Sequence, residues 1–184
     1  MSDIKVLTFV GSLRAGSVNR QIAELAADVA PDDVTVTIFD QLAELPFYNE
    51  DIDHDAENGG VPAAVSALRS AAAEADAALV VTPEYNGSIP AVIKNVIDWL
   101  SRPFGNGAMK DKPLAVIGGS YGQYGGVWAH DETRKSFGIA GLRVVESIKL
   151  SVPFKSLNGQ HPREHAELVS NLRDAVGKLV AEVG

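Results

Sequence analysis

Short apolar runs alternate with segments of helical periodicity along this chain, and this alternation restricts the possible folds most strongly. The first run, residues 4–10, is mostly apolar, rich in β-branched residues and ends at Gly11, which predicts a buried strand. From Ile22 to Val29, apolar residues recur with the spacing of an amphipathic helix that ends before Pro31. The alternation continues to the end of the chain and predicts strands at 4–10, 34–39, 77–81, 114–117 and 144–150.

Buried strands joined by helical crossovers form a parallel sheet with helices on both faces. Five strands favour the flavodoxin-like order 2-1-3-4-5, so we expect a three-layer α/β sandwich. The 184 residues contain no evident linker or repeat, which predicts one domain over 1–184. Ligands of such sheets bind beyond the carboxyl ends of the strands, so the site is expected in the loops after strands one, three and four.

Composition excludes several kinds of function. The chain has no cysteine, which excludes disulfides, thiol nucleophiles, cysteine-based zinc sites and iron–sulfur clusters. A formal charge of −8 argues against nucleic acid as a partner. The apolar run near the N-terminus is too short for a signal peptide or a membrane span. These features predict a soluble, cytoplasmic domain that handles phosphate or redox chemistry only through a bound small molecule.

The first loop, residues 11–19, has the composition of a phosphate site. It combines the hydroxyls of Ser12 and Ser17 and the guanidinium of Arg14 with the N-terminus of a helix. Ser17 occupies the position of the lysine in nucleotide-triphosphatase loops, and Leu13 occupies that of a glycine in dinucleotide loops. A single terminal phosphate therefore fits better than either. The alternative is a plain turn in which Ser17 caps the helix and Arg14 is solvated.

The second loop, residues 83–90, reads Pro-Glu-Tyr-Asn-Gly-Ser-Ile-Pro. Tyr85 offers an aromatic face for a planar ring, and Asn86 offers both a donor and an acceptor. Gly87 leaves its backbone open to a ligand. Taken alone, the Asn-Gly pair indicates only a turn.

The chain resembles the NAD(P)H-dependent FMN reductase family, which also includes flavin-dependent quinone, chromate and azo-dye reductases. The resemblance rests on Gly-Ser-Leu-Arg-x-Gly-Ser-x-Asn at 11–19 and Pro-Glu-Tyr-Asn-Gly-Ser-x-Pro at 83–90. A third segment, Lys-Asn-x-Ile-Asp-Trp-Leu-Ser-Arg at 94–102, follows the second. The order of elements matches over essentially the whole chain.

The resemblance implies an enzyme that passes electrons from NADPH or NADH through non-covalent FMN to a flavin, quinone or similar small acceptor. The flavin performs the chemistry, so no catalytic acid or base is expected. A homodimer or homotetramer, with the flavin near the dimer interface, is also implied. The residues expected at the FMN phosphate are Ser12, Arg14, Ser17 and Asn19, with Gly11 at the start of the loop; those expected around the isoalloxazine are Pro83, Glu84, Tyr85, Asn86, Gly87 and Ser88 on one side and Gly119 and Ser120 on the other.

Two details of the expected site concern its donors and its third loop. Backbone N–H groups of residues 86–88 are expected to donate to the pyrimidine oxygens of the flavin.

Similar proteins usually read Gly-Gly-x-Arg-Ala-Gln in the third loop, whereas residues 125–130 read Gly-Gly-Val-Trp-Ala-His. Contacts made by that arginine cannot be carried over. Trp128 is expected at a subunit interface, over the flavin, on the bare surface or in the core.

Two other functions compete with this interpretation. A flavodoxin-like electron carrier would bind the same flavin without turning over NAD(P)H, and the acidic charge would suit docking to basic partners. The segment 118–122 also matches the G-x-S-x-G pattern of serine hydrolases, with Ser120 as nucleophile and His161 or His165 as base. The hydrolase is less favoured because it leaves both flavin-type loops unexplained.

Two further patterns resemble metal sites, although no metal is expected. The segment 161–165 matches the zinc pattern H-x-x-E-H, but Pro162 places its first histidine at a helix entrance, so capping or exposure is favoured. Asp51, Asp53, Asp55 and Glu57 are spaced like a calcium loop that lacks its glycine and its final glutamate. We expect a solvated, mobile loop there, which could also border the flavin or a dimer contact.

Overall fold

The five predicted strands form one parallel sheet, with hydrogen bonds in the order β2-β1-β3-β4-β5. This order confirms the predicted flavodoxin-like topology. The structure is a computed structural model that describes residues 3–53 and 60–184. The strands are β1 (Ile4–Val10), β2 (Val34–Ile38), β3 (Ala77–Val81), β4 (Pro113–Ser120) and β5 (Arg143–Pro153).

Helices cover both faces of the sheet because successive side chains of each strand point to opposite sides. Val6 and Val10 of β1 pack with the helices at 18–28 and 166–180, whereas Leu7 and Phe9 pack with those at 63–74 and 91–100 on the other face. No helix in the described ranges is long and apolar enough to cross a membrane. The helices are α1 (Val18–Asp28), α2 (Glu50–Asp53), α3 (Ala63–Glu74), α4 (Ala91–Leu100), α5 (Val127–Ile139) and α6 (Ala166–Val180), with short 3-10 helices at Asp40–Glu44, Phe154–Leu157 and Pro162–Glu164.

Strand β4 is longer than predicted and includes Gly118, Gly119 and Ser120, which the sequence placed in a loop. The two glycines allow close packing at this end of the sheet. A Cβ atom on Gly118 would lie 2.3 Å from the carbonyl oxygen of Thr82, and one on Gly119 would lie 2.4 Å from the ring of Phe154. The expectation that this segment is a loop was wrong because these glycines serve close approach rather than a turn.

Strands β4 and β5 are separated locally by a bulge. Leu114 pairs with Val144 and Val116 with Lys149, so residues 145–148 of β5 stand opposite Ala115 alone. The buried guanidinium of Arg134, on α5, donates to the carbonyl oxygens of Val116 at 2.9 Å and of Ile148 at 3.4 Å. It also pairs with Asp131 at 2.8 Å. Arg134 therefore supplies donors where the ladder between the two strands is interrupted.

The polar segment after β2 is more ordered than predicted. Its residues 50–53 form α2, and the carboxylate of Asp53 is buried in a two-bond ion pair with Arg69, at 2.7 and 3.1 Å. The guanidinium of Arg69 also lies over the ring of Trp99. The expectation of a loop was therefore wrong for Asp51 and Asp53, and that of solvation was wrong for Asp53, whereas Asp51 is exposed. Asp55 and Glu57 lie outside the described residues.

Candidate functional site

A cleft of about 360 Å³ opens at the carboxyl edge of the sheet, where the sequence predicted the site. It lies between the segments that follow β1, β3 and β4. Eight of the thirteen predicted site residues line it. The other five are close in sequence to lining residues but do not line the cleft themselves: Gly11, Asn86, Gly87, Ser88 and Gly119. The lining residues are Ser12, Arg14, Ser17, Val18, Asn19, Pro83, Glu84, Tyr85, Ser120, Tyr121, Gly122 and Phe154.

One end of the cleft is the N-terminus of α1. Ser17 caps this helix, because its buried hydroxyl oxygen accepts the N–H of Arg20 at 3.3 Å. The hydroxyl hydrogen of Ser17 remains available to a ligand. Within 3–53 and 60–184, no acceptor meets the N–H groups of Val18 and Asn19. Free N–H groups at a helix N-terminus, with the exposed Arg14 beside them, suit a phosphate group.

The side chain of Asn19 is already engaged with β4. Its Oδ1 accepts the N–H of Gly119 at 2.8 Å, and its Nδ2 donates to the carbonyl of Gly119 at 3.0 Å. Asn19 thus lines the predicted phosphate end of the cleft, while its oxygen and one of its two N–H donors are used inside the protein. The sequence could not show this contact because the two residues lie 100 positions apart.

The loop after β3 forms a tight two-residue turn. Asn86 and Gly87 have φ angles of +52° and +75°, as in a type I′ turn. The N–H of Ser88 donates to the carbonyl of Tyr85 at 3.1 Å, and the N–H of Tyr85 donates to the carbonyl of Ser88 at 3.2 Å. The expectation that Ser88 offers its N–H to a ligand was therefore wrong. Asn86 and Gly87 keep N–H groups without an acceptor among the residues that the structure describes.

Helix α5 is capped from outside by the same loop. Its own cap residue is Gly126, which has no side chain to offer. The carboxylate of Glu84 accepts the N–H groups of Trp128 and Ala129, both at 3.1 Å, and its charge suits a helix N-terminus. The hydroxyl of Ser88 donates to Glu132 on α5 at 2.6 Å. The turn is therefore fixed to a helix rather than free to swing.

Trp128 lies on the surface, with 56% of its area exposed, which excludes the core among the predicted alternatives. Its ring is 5.7 Å from that of Tyr124, which is also exposed. A Cβ atom on Gly87 would lie 4.0 Å from the indole. The tryptophan therefore stands beside the turn that flanks the cleft.

Sequence reasoning missed His130, which lies fully buried behind the site. Its Nε2 donates to the carbonyl of Thr82 at 2.8 Å, and its Nδ1 accepts from the hydroxyl of Ser151 at 2.7 Å. A carbonyl can only accept, so the neutral ring carries its hydrogen on Nε2. Burial lowers the pKa of His130 below its usual value. The ring connects α5 to the end of β3 and to β5.

We expect the free energy of unfolding to fall as the pH drops below about 6.5, the usual pKa of an unfolded histidine. In the folded protein the pKa of His130 is lower, so acid protonates the unfolded chain first. This contribution is complete above that pH and is lost as the pH falls towards the folded value. Urea titrations of the native chain and of His130→Gln between pH 5 and 7.5 measure this contribution of His130 to the free energy of unfolding. Equal pH slopes in the two proteins would contradict it.

The structure gives other roles to the residues of the competing patterns. The hydroxyl of Ser120 accepts the N–H of Gly122 at 3.2 Å, and in the described ranges no histidine hydrogen-bonds to it. Nδ1 of His161 accepts the N–H of Arg163, and Nδ1 of His165 accepts that of Leu168. Of the two predicted alternatives, capping and exposure, capping is observed for both histidines.

Comparisons with known proteins show which family the chain belongs to. The family model for NADPH-dependent FMN reductase matches residues 4–156. A 2-hydroxy-1,4-benzoquinone reductase from Burkholderia sp is 41% identical over 131 residues, 71% of this chain and 68% of that protein. An NAD(P)H-dependent FMN reductase from Pseudomonas aeruginosa is 40% identical over 134 residues, 73% of this chain and 69% of the other. FerB, a flavoenzyme NAD(P)H:(acceptor) oxidoreductase from Paracoccus denitrificans, superimposes with a TM-score of 0.83 at 28% identity, covering 97% of this chain and 98% of FerB.

Proposed function

The chain belongs to the NADPH-dependent FMN reductase family, and from this membership we propose which residues hold FMN and how they serve the reaction. The protein is an oxidoreductase that uses NAD(P)H and FMN and passes electrons to a small-molecule acceptor. Relatives of this chain are named quinone reductases, which are enzymes, and this favours an enzyme over the electron-carrier alternative.

The phosphate of FMN is assigned to the N-terminal end of α1. Ser12 and Ser17 offer hydroxyl hydrogens, Arg14 offers a charged donor, and the first N–H groups of α1 point to the same end of the cleft. The observation that carries the proposal is this convergence of free donors and one cation in a protein with a charge of −8.

The isoalloxazine is assigned to the other end, between the turn after β3 and the end of β4. Tyr85 offers an aromatic wall there, and the N–H groups of Asn86 and Gly87 supply donors for the flavin's pyrimidine oxygens. FMN held there would supply the hydride-accepting and electron-donating chemistry, and these residues would bind and orient it. The contacts of Glu84 and Ser88 with α5 hold these donors in place, so little reorganisation is needed when negative charge develops.

The acceptor is assigned to the quinones and similar planar molecules, as the names of two relatives suggest. We expect the purified protein to oxidise NADH or NADPH steadily when a benzoquinone is present. Both substrates use one flavin face in turn, so the kinetics should be ping-pong. Stopped-flow absorbance under nitrogen should show the yellow flavin bleaching with NAD(P)H and recovering with quinone. Reduction without multiple turnovers would instead indicate a carrier.

We also assign residues 1–184 to one domain and the protein to the cytoplasm as a homodimer or homotetramer. Both apolar clusters pack on one shared sheet, which supports a single domain. The exposed Tyr124 and Trp128 beside the cleft suit a contact between subunits. Sedimentation equilibrium gives the oligomeric state, and a monomer at micromolar concentration would exclude the assembly.

A further inference from the structure

The amide of Asn19 forms a two-bond bridge between the phosphate loop and the sheet. Both of its hydrogen bonds go to the backbone of Gly119, at 2.8 and 3.0 Å. The orientation of the amide is settled by these partners, since an N–H can only donate and a carbonyl can only accept. The side chain is 2% exposed, so water does not compete for either bond.

The neighbouring strand is shaped to receive this bridge. Gly118 has a φ of +141°, and a Cβ atom there would lie 2.9 Å from Oδ1 of Asn19. A side chain on Gly119 would meet the ring of Phe154 and the carbonyl of Val152. Gly118 therefore lets the end of β4 approach the first turn of α1, and Gly119 lets it pack against β5 and Phe154.

The bridge leaves one N–H donor of the Asn19 amide for a ligand. An asparagine amide has one oxygen and two N–H donors, and Gly119 occupies the oxygen and one N–H. A phosphate could therefore bond to Asn19 only through the second hydrogen of Nδ2. The hydroxyls of Ser12 and Ser17 and the guanidinium of Arg14 already supply phosphate donors at that end of the cleft.

We propose that Asn19 is a positioning residue, which holds Gly119 and Ser120 at the ring end of the cleft rather than binding the FMN phosphate. This inference rests on the proposed placement of FMN. The loss of the bridge would lower the fraction of protein with a well-formed ring site. The apparent affinity would then fall for every ligand that carries the isoalloxazine ring. If Asn19 instead bound the phosphate, its replacement would weaken the binding of FMN only.

Binding of FMN and of riboflavin, which lacks the phosphate, separates the two roles. We expect Asn19→Ser to weaken both by a similar factor of about ten, the size expected for two lost hydrogen bonds. Arg14→Ala should weaken FMN and leave riboflavin nearly unchanged. Asn171→Ser makes the same chemical change on the exposed face of α6 and should alter neither. A loss confined to FMN in Asn19→Ser would overturn the inference.

A spectroscopic readout distinguishes positioning from general damage to the fold. The visible circular dichroism of the bound flavin should change in Asn19→Ser, because the β4 end beside the ring shifts, and should stay unchanged in Arg14→Ala. An unchanged spectrum in Asn19→Ser would contradict the inference. If the unaltered protein binds neither flavin, the proposed function fails instead.

The native chain provides a test that needs no variant. In flavin-free protein, the N–H of Gly119 should exchange with solvent much more slowly than that of Asn86 in the exposed turn, as measured by NMR. It should stay slow after FMN is added. Fast exchange in the free protein, or release when FMN binds, would show that the amide is not a fixed bridge.

Discussion

Replacing Arg134 with methionine is expected to lower the free energy of unfolding by about 3 kcal/mol. The side chain is 4% exposed and donates to the carbonyls of Val116 and Ile148 at the bulge between β4 and β5. Methionine fills much of the same volume but donates nothing. A buried acceptor left without a partner costs about 1 to 3 kcal/mol, and two are affected. Urea denaturation with a shared m-value measures the loss.

Lys135→Met is the matched control for this experiment. It removes the same charge from the next position of α5, where the side chain is exposed. Substitutions of this kind usually stay within about 0.5 kcal/mol. Equal losses in the two variants would show that charge, rather than the donors at the bulge, accounts for the effect.

The second large effect concerns the cofactor. Arg14→Ala is expected to weaken FMN binding by at least about 1.5 kcal/mol, the low end for a hydrogen bond to a charged group, which is roughly tenfold in Kd. Arg14 is exposed at the phosphate end of the cleft, so its removal should leave the fold intact. Fluorescence titration of FMN into flavin-free protein measures the change.

Arg20→Ala tests whether the position of the charge matters. Arg20 lies on the same helix but pairs with Glu24 and Asp40 and does not line the cleft. We expect the FMN affinity of Arg20→Ala to stay within about twofold of the native value, because Arg20 is paired and lies outside the cleft, and the loss of exposed ion pairs costs little stability. An unchanged Kd in Arg14→Ala would remove the basis for the phosphate assignment.

The sheet order and the position of the site could be predicted because they depend on local patterns. Apolar periodicity marks each strand, and parallel strands bring their carboxyl ends to one edge. The end of β4 could not be predicted, since glycines usually indicate loops whereas Gly118 and Gly119 serve close packing.

The contacts that shape the cleft were hidden from the sequence for a different reason. Glu84 caps a helix that begins more than 40 positions later, and Asn19 binds a strand 100 positions away. Each residue type has many partners that would suit it equally well, so only the folded chain selects one. The same holds for His130, whose ring is enclosed by three separate elements.

The bulge also affects how the molecule can associate with itself. Strand β5 lies at the edge of the sheet, and a regular edge strand is a template on which further chains can polymerise. Residues 145–148 interrupt that template, and the exposed side chains of Glu146 and Lys149 place charge beside it. The bulge and these charges thereby disfavour the addition of strands from other chains at this edge of the sheet.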